Sequence, residues 1–246
     1  MGRLMKTELF RMSNSGKNMV SFAIVLILLC FYPFSGQWEY LDAPLAISLV
    51  YFWKNVYVFL LIAGFFVAIL LASQYQSRLY YYEVMNGENT HKIILSKLVI
   101  YIGYIVLFFI IPNLILYITL AVRNGLGGYE NIIMSVGLFG VTTFRMITRA
   151  VLLTMIIRRL IPVLGILYIS FMLEQAIILI IEGIFDTSHK LWKVIFNFFI
   201  SQQVNNFYQP MEYAGEFVVT VIVSFIMEAV LLYGLTWYSY KKKNFR

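Results

Sequence analysis

The sequence predicts an all-α, polytopic integral membrane fold of six transmembrane helices, with an N-terminal interfacial helix and a short cytoplasmic helix between two spans. Three observations carry the membrane class. Of the 246 residues, 61% are hydrophobic and only 13% charged, with a mean hydropathy of +0.80. A soluble domain covers itself with about a quarter charged residues, so lipid takes the place of much of the water. The apolar residues gather into runs close to the ~20 residues that cross a hydrocarbon core. The basic residues are split unevenly between alternate connecting segments.

The predicted spans are Met19–Phe34, Val56–Gln74, Leu98–Val122, Ile132–Ile157, Leu160–Ile181 and Phe217–Tyr238. The first is short and ends near Pro33, so it borrows length from Ser13–Asn18 or sits in thinned bilayer. A basic start before an apolar run mimics a secretory signal, but five further spans read it as a retained helix. Backbone groups in lipid must be satisfied within the protein, and the alternating ten-residue pattern of barrel strands is absent, so the spans are helices. There is no internal repeat, low-complexity tract or soluble appendage, and residues 1–246 read as one membrane domain.

Orientation follows from Lys and Arg. With the N-terminus inside, thirteen fall on inner segments: Arg3, Lys6, Arg11, Lys17, Arg78, Lys92, Lys97, Arg158, Arg159, Lys241, Lys242, Lys243 and Arg246. Four fall outside: Lys54, Arg123, Lys190 and Lys193. Both termini are expected in the cytoplasm. The net charge of +7 then faces anionic inner-leaflet lipid. Nucleic acid is a poor partner, because the charge is not gathered on one face. A lone Cys30 excludes an internal disulfide.

Enzyme chemistry is not expected. The chain has no GxxxxGK[ST] phosphate loop, HExxH zinc pair or GxSxG elbow, and its two histidines, His91 and His189, are far apart in sequence. No metal and no cofactor of its own is expected.

Several segments carry functional expectations. Met1–Lys17 is basic, with Met5, Leu9 and Met12 at helical spacing, and reads as an amphipathic helix on the inner interface. Residues 75–97 hold the longest polar interruption between apolar stretches. Tyr75, Leu79 and Tyr82 share one helical face, Asn86-Gly87 ends that helix, and Asn89 or Thr90 caps the next, which runs through Lys92 and Lys97. In the outer segment Glu182–Glu216, "LWKVIFNFFI" is too short to span and reads as a re-entrant or interfacial helix. Charges inside spans are costly: Arg145, Arg149, Glu174 and Glu228 read either as buried pairs or as a polar lining for cargo. Arg149, nearer the cytoplasm, is expected to snorkel. Gly64, Ala68 and Ala72 form a small-residue stripe for close helix approach, within the chain or across a dimer.

The stretch "RLYYYEVMNGENTHKIILSKL" resembles the first cytoplasmic loop of type-2 permeases of ABC exporters. Six spans, an amphipathic start and a basic C-terminus extend the resemblance over the whole chain, although its specific part is Glu83–Leu98. The usual "E-x-G-T" stretch is compressed here, and His91 stands where that family often has Arg. The resemblance implies a permease working as a dimer, with itself or a paralogue, in a bacterial plasma membrane. It also implies two copies of a separate ATPase that binds ATP and Mg. Tyr80, Tyr81, Glu83, Val84 and Met85 would contact that ATPase. The cargo class it suggests is amphiphilic, an antimicrobial or other hydrophobic peptide for export or immunity. The rival from another class is an ion-coupled transporter or channel using the intramembrane Arg and Glu residues, and a third is a membrane scaffold that transports nothing.

Overall fold

Helices are the cheapest way to satisfy a backbone surrounded by apolar side chains, and every ordered element described is helical. The computed structural model describes residues 2–14, 56–76, 89–124, 130–184, 190–206 and 215–243. They form α1 (Gly2–Asn14), α2 (Val56–Gln76), α3 (Thr90–Asn124), α4 (Glu130–Ile157), α5 (Leu160–Ile184), α6 (Lys190–Phe196), α7 (Ile200–Asn206) and α8 (Gly215–Lys243). Among the described residues, three stretches are long and apolar enough to cross a membrane: Gly137–Ile157, Leu160–Ile184 and Phe217–Lys242. Leu60–Gln76 is a shorter apolar helix. The helices overrun the apolar runs read from the sequence because polar residues at their ends continue the same backbone pattern. The expected span Met19–Phe34 lies outside the described residues.

α4 is the central helix, packed against α2, α3, α5 and α8. Its apolar window is 72% buried, against 22% for the windows of α5 and α8, which leave broad apolar faces to lipid. Polar side chains survive in this centre because they bond locally. Thr142, Thr143 and Thr154 donate to the carbonyls of Leu138, Phe139 and Ala150 at 3.1, 2.8 and 2.6 Å.

Of the stripe Gly64–Ala68–Ala72, Gly64 lies at the contact with α4, inside one chain. A Cβ on Gly64 would sit 3.2 Å from the Met146 terminal methyl and 3.9 Å from Ala150 Cβ. Ala68 and Ala72 are fully buried.

α1 docks on α3. Leu4 and Glu8 form its buried face, Met5 is half-buried, and Leu9 and Phe10 are exposed. Glu8 finds Lys97 of α3 at 2.7 Å, which ties this face of α1 to the bundle.

The close approach at Gly64 makes a graded prediction. Gly64→Ala meets only the movable end of Met146 and improves helix propensity by up to about 1 kcal/mol, so it should be near neutral or stabilising. Gly64→Leu must force α2 from α4 and should cost about 1–3 kcal/mol. Thermal unfolding in mild detergent reads both.

Candidate functional site

Arg145 and Arg149 stand one turn apart on α4 and so project from the same face. Opposite them, α8 supplies Glu228 and α5 supplies Glu174. Arg145 Nε donates to Glu228 Oε2 at 2.6 Å, and its Nη1 to Ser224 Oγ at 2.9 Å. Arg149 is the hub. It bonds Glu228 through Nε, and again through Nη2 at 3.0 Å, while its Nη1 reaches Glu174 Oε1 at 3.0 Å. All four residues are largely removed from solvent, and Arg149 is only 9% exposed. The snorkelling expected of Arg149 is therefore overturned: two carboxylates inside the bundle hold its guanidinium there.

The network also seats the segment between α5 and α8. Ser201 N–H, at the start of α7, donates to Glu174 Oε2 at 3.2 Å. Glu174 lies ten residues before the end of α5, about 15 Å along it, so α7 reaches deep between the long helices. Gln203, fully buried, donates to Ser224 Oγ at 2.9 Å, and its Oε1 lies 3.3 Å from the Thr142 hydroxyl, whose one proton it shares with the Leu138 carbonyl. The helix expected through "LWKVIFNFFI" is broken at Asn197–Phe199. The Asn197 carbonyl, freed there, accepts from Gln203 Nε2 at 2.8 Å.

A second cluster ties together the opposite, basic end. Lys97 Nζ donates to Glu8 at 2.7 Å and to Gln74 Oε1 at 3.0 Å, and Gln74 Nε2 returns a bond to Glu8 at 2.8 Å. Gln74 also reaches Tyr101 at 3.2 Å. Next to Gln74, Tyr75 bonds the hydroxyl of Tyr240 near the end of α8. Arg158 lies over both rings, 4.7 Å from that of Tyr240 and 5.8 Å from that of Tyr75. Arg158 ends α4 with φ of 62°, its N–H bonded to Thr154 O at 2.8 Å. Glycine usually fills such a left-handed cap, and any other residue costs roughly 1–2 kcal/mol there. The two rings under the guanidinium offset that cost.

At the start of α3, Asn89 accepts from His91 N–H at 3.0 Å as the helix cap, and the His91 ring stacks on Tyr233 and Trp237 of α8. Thus Gln74 and Tyr75 fix one flank of residues 77–88, and His91 and Lys97 fix the other. Tyr80, Tyr81, Glu83, Val84 and Met85 themselves lie outside the described residues.

Sequence reasoning singled out Arg145, Arg149, Glu174 and Glu228, and they converge. It missed Ser201, Gln203 and Ser224, which no motif marks, and gave no partner to Glu8 or Lys97. Spacing alone does not bring residues 89 positions apart together. Among the described residues no group of three or more His, Cys, Asp or Glu is arranged to hold a metal. The fold and its buried charges are those of an all-helical membrane protein. Compared with family models, curated proteins and solved structures, the chain matches none of them.

Two sets of variants test these clusters. Glu228→Gln leaves two arginines against Glu174 and should cost about 3–5 kcal/mol, whereas adding Arg145→Gln restores balance through Arg149–Glu174 and should recover most of it. Equal or additive losses in thermal stability would remove the pairing account. At the basic end, Lys97→Met should loosen α1 and speed tryptic cleavage after Lys6, while Glu8→Leu combined with Lys97→Met should slow it again.

Proposed function

We propose that this chain is the membrane-spanning permease subunit of an ABC exporter, with six spans and both termini in the cytoplasm. It works as a dimer with two copies of a separate ATPase that binds ATP and Mg. The resemblance of residues 83–98 to a coupling loop suggests the family. What carries the mechanical part of the reading is the stiff frame on both flanks of residues 77–88.

A permease without a nucleotide site receives the work of ATP hydrolysis as a push on its cytoplasmic face. That push is transmitted only if the segment receiving it is held rigidly in the bundle. Buried polar contacts tie Gln74 to α1 and Tyr75 to α8, and His91 is clamped on α8. A coupling helix within 75–97, bearing Tyr80, Tyr81, Glu83, Val84 and Met85, would pass its displacement to α2, α3 and α8 together. In this reading α1 is the elbow helix, with exposed Leu9 and Phe10 dipping into the inner leaflet. Residues 182–216 enter from the outer side as a re-entrant segment. The cargo is an amphiphile reaching the protein through lipid, best fitted by an antimicrobial or other hydrophobic peptide.

The rival is an ion-coupled transporter or channel working through the Arg–Glu network. Against it stands the pairing within that network: each of the four carboxylate oxygens of Glu174 and Glu228 already accepts a hydrogen bond from the protein. The arrangement supports packing better than ion passage.

Affinity purification of the tagged chain in mild detergent should bring down an ATPase at equal stoichiometry. Tyr81→Ala with Glu83→Ala should leave insertion intact and reduce that association, or uncouple hydrolysis from transport. A chain that purifies without an ATPase, and moves cargo on an ion gradient, would establish the rival instead.

A further inference from the structure

We propose that the basic ends of α3 and α8 form a binding site for the headgroup of an anionic phospholipid. The site is built around a stack of rings. His91 lies against Tyr233 and Trp237, with centroids 5.9 and 5.6 Å away and planes within 21° and 20° of parallel. The Tyr233 hydroxyl meets His91 Nδ1 at 2.7 Å, which fixes the imidazole between the two helices. Lys241 Nζ then lies 5.3 Å from the centre of the Trp237 ring.

Lys241 lies beside this stack, Lys242 follows it in sequence, and Lys92 follows His91. Lys92, Lys241 and Lys242 are exposed, and among the described residues none is in ion-pair contact with a carboxylate. Among the described residues, Glu8 at this end is buried and already held by Lys97. An uncompensated cluster of ammonium groups beside amphipathic rings is complementary to a phosphodiester, which accepts charge-assisted bonds while the rings rest at headgroup level.

The surface above the stack is complementary to an acyl chain. Val230 and Ile226 precede Trp237 by seven and eleven residues and so share its face of α8, and they are 67% and 53% exposed. One lipid can therefore lie along α8 with its chain on these residues and its phosphate at Lys241. Zwitterionic lipid offers the same chain without the net charge. The inference rests on α8 spanning the bilayer and not on the transport reading, so an ATPase that fails to copurify leaves it standing.

The tryptophan in the site provides the probe. In W38F/W53F/W192F, Trp237 is the sole tryptophan, and its quenching by brominated phosphatidylglycerol and brominated phosphatidylcholine in vesicles gives their relative association constants. Phosphatidylglycerol should be preferred by about fivefold or more, the contribution of one uncompensated lysine near a surface. K241Q/K242Q on that background should bring the ratio close to one. A ratio near one with the lysines present, or a preference unchanged without them, overturns the site.

The unaltered protein gives a second measure. Its Tm in detergent should rise with added phosphatidylglycerol but not phosphatidylcholine, and K241Q/K242Q should lose the rise. An equal rise with inorganic phosphate would mean a free-anion site and overturn the lipid assignment. Loss of ATPase association in K241Q/K242Q, with no lipid preference in the parent, would assign the surface to a protein and overturn it as well.

Discussion

A guanidinium placed among apolar side chains has to bring its counter-charge with it, and α4 carries two. Everything packed around Arg145 and Arg149 is arranged to meet that demand. α8 contributes Glu228 and Ser224, α5 contributes Glu174, and α7 lends a backbone amide to Glu174. The four charges sum to zero, and every carboxylate oxygen accepts a hydrogen bond. Such a cluster adds little net stability over an apolar core, because desolvation offsets much of the attraction. Its larger effect is on alternatives: sliding or rotating α5 or α8 against α4 would strand a buried charge.

Specificity of this kind is valuable where helices share a common solvent. Lipid is as apolar as leucine, so burial of apolar side chains does little to choose one helix pairing over another. Close approach at Gly64 and the Arg–Glu pairs supply the choice at α2, α5 and α8. The same logic governs the basic end, where Glu8, Gln74, Lys97 and Tyr101 form a closed polar cluster against which α1 is registered. The two clusters sit at different depths along the bundle. The first fixes the middle and seats the interrupted segment 190–206, and the second stiffens the flanks of residues 77–88.

Between them the clusters divide the molecule into surfaces with different duties. α5 and α8 present wide apolar faces. At the basic end, aromatic rings and lysines replace the apolar residues over the last turns of α8. Arg158 sits at the same end of the bundle. Its left-handed backbone makes a two-residue link between α4 and α5, and its side chain covers Tyr75 and Tyr240.

Much of this was legible in the sequence. Low charge and long apolar runs determine a helical membrane protein, because without water only helices or closed barrels satisfy the backbone amides and the alternating pattern of barrel strands is absent. The intramembrane residues Arg145, Arg149, Glu174 and Glu228 stand out on cost alone, and Asn89 announces the start of α3 by its capping side chain. The tertiary structure decided which groups meet. Arg149, expected to escape toward water, is captured by two acids from different helices. α1 meets the bundle through Glu8, because Lys97 lies 89 residues away in sequence and 2.7 Å away in space. Helical periodicity reports which residues share a face of one helix. Which face meets which neighbour is set by long-range pairing, and periodicity holds no record of that.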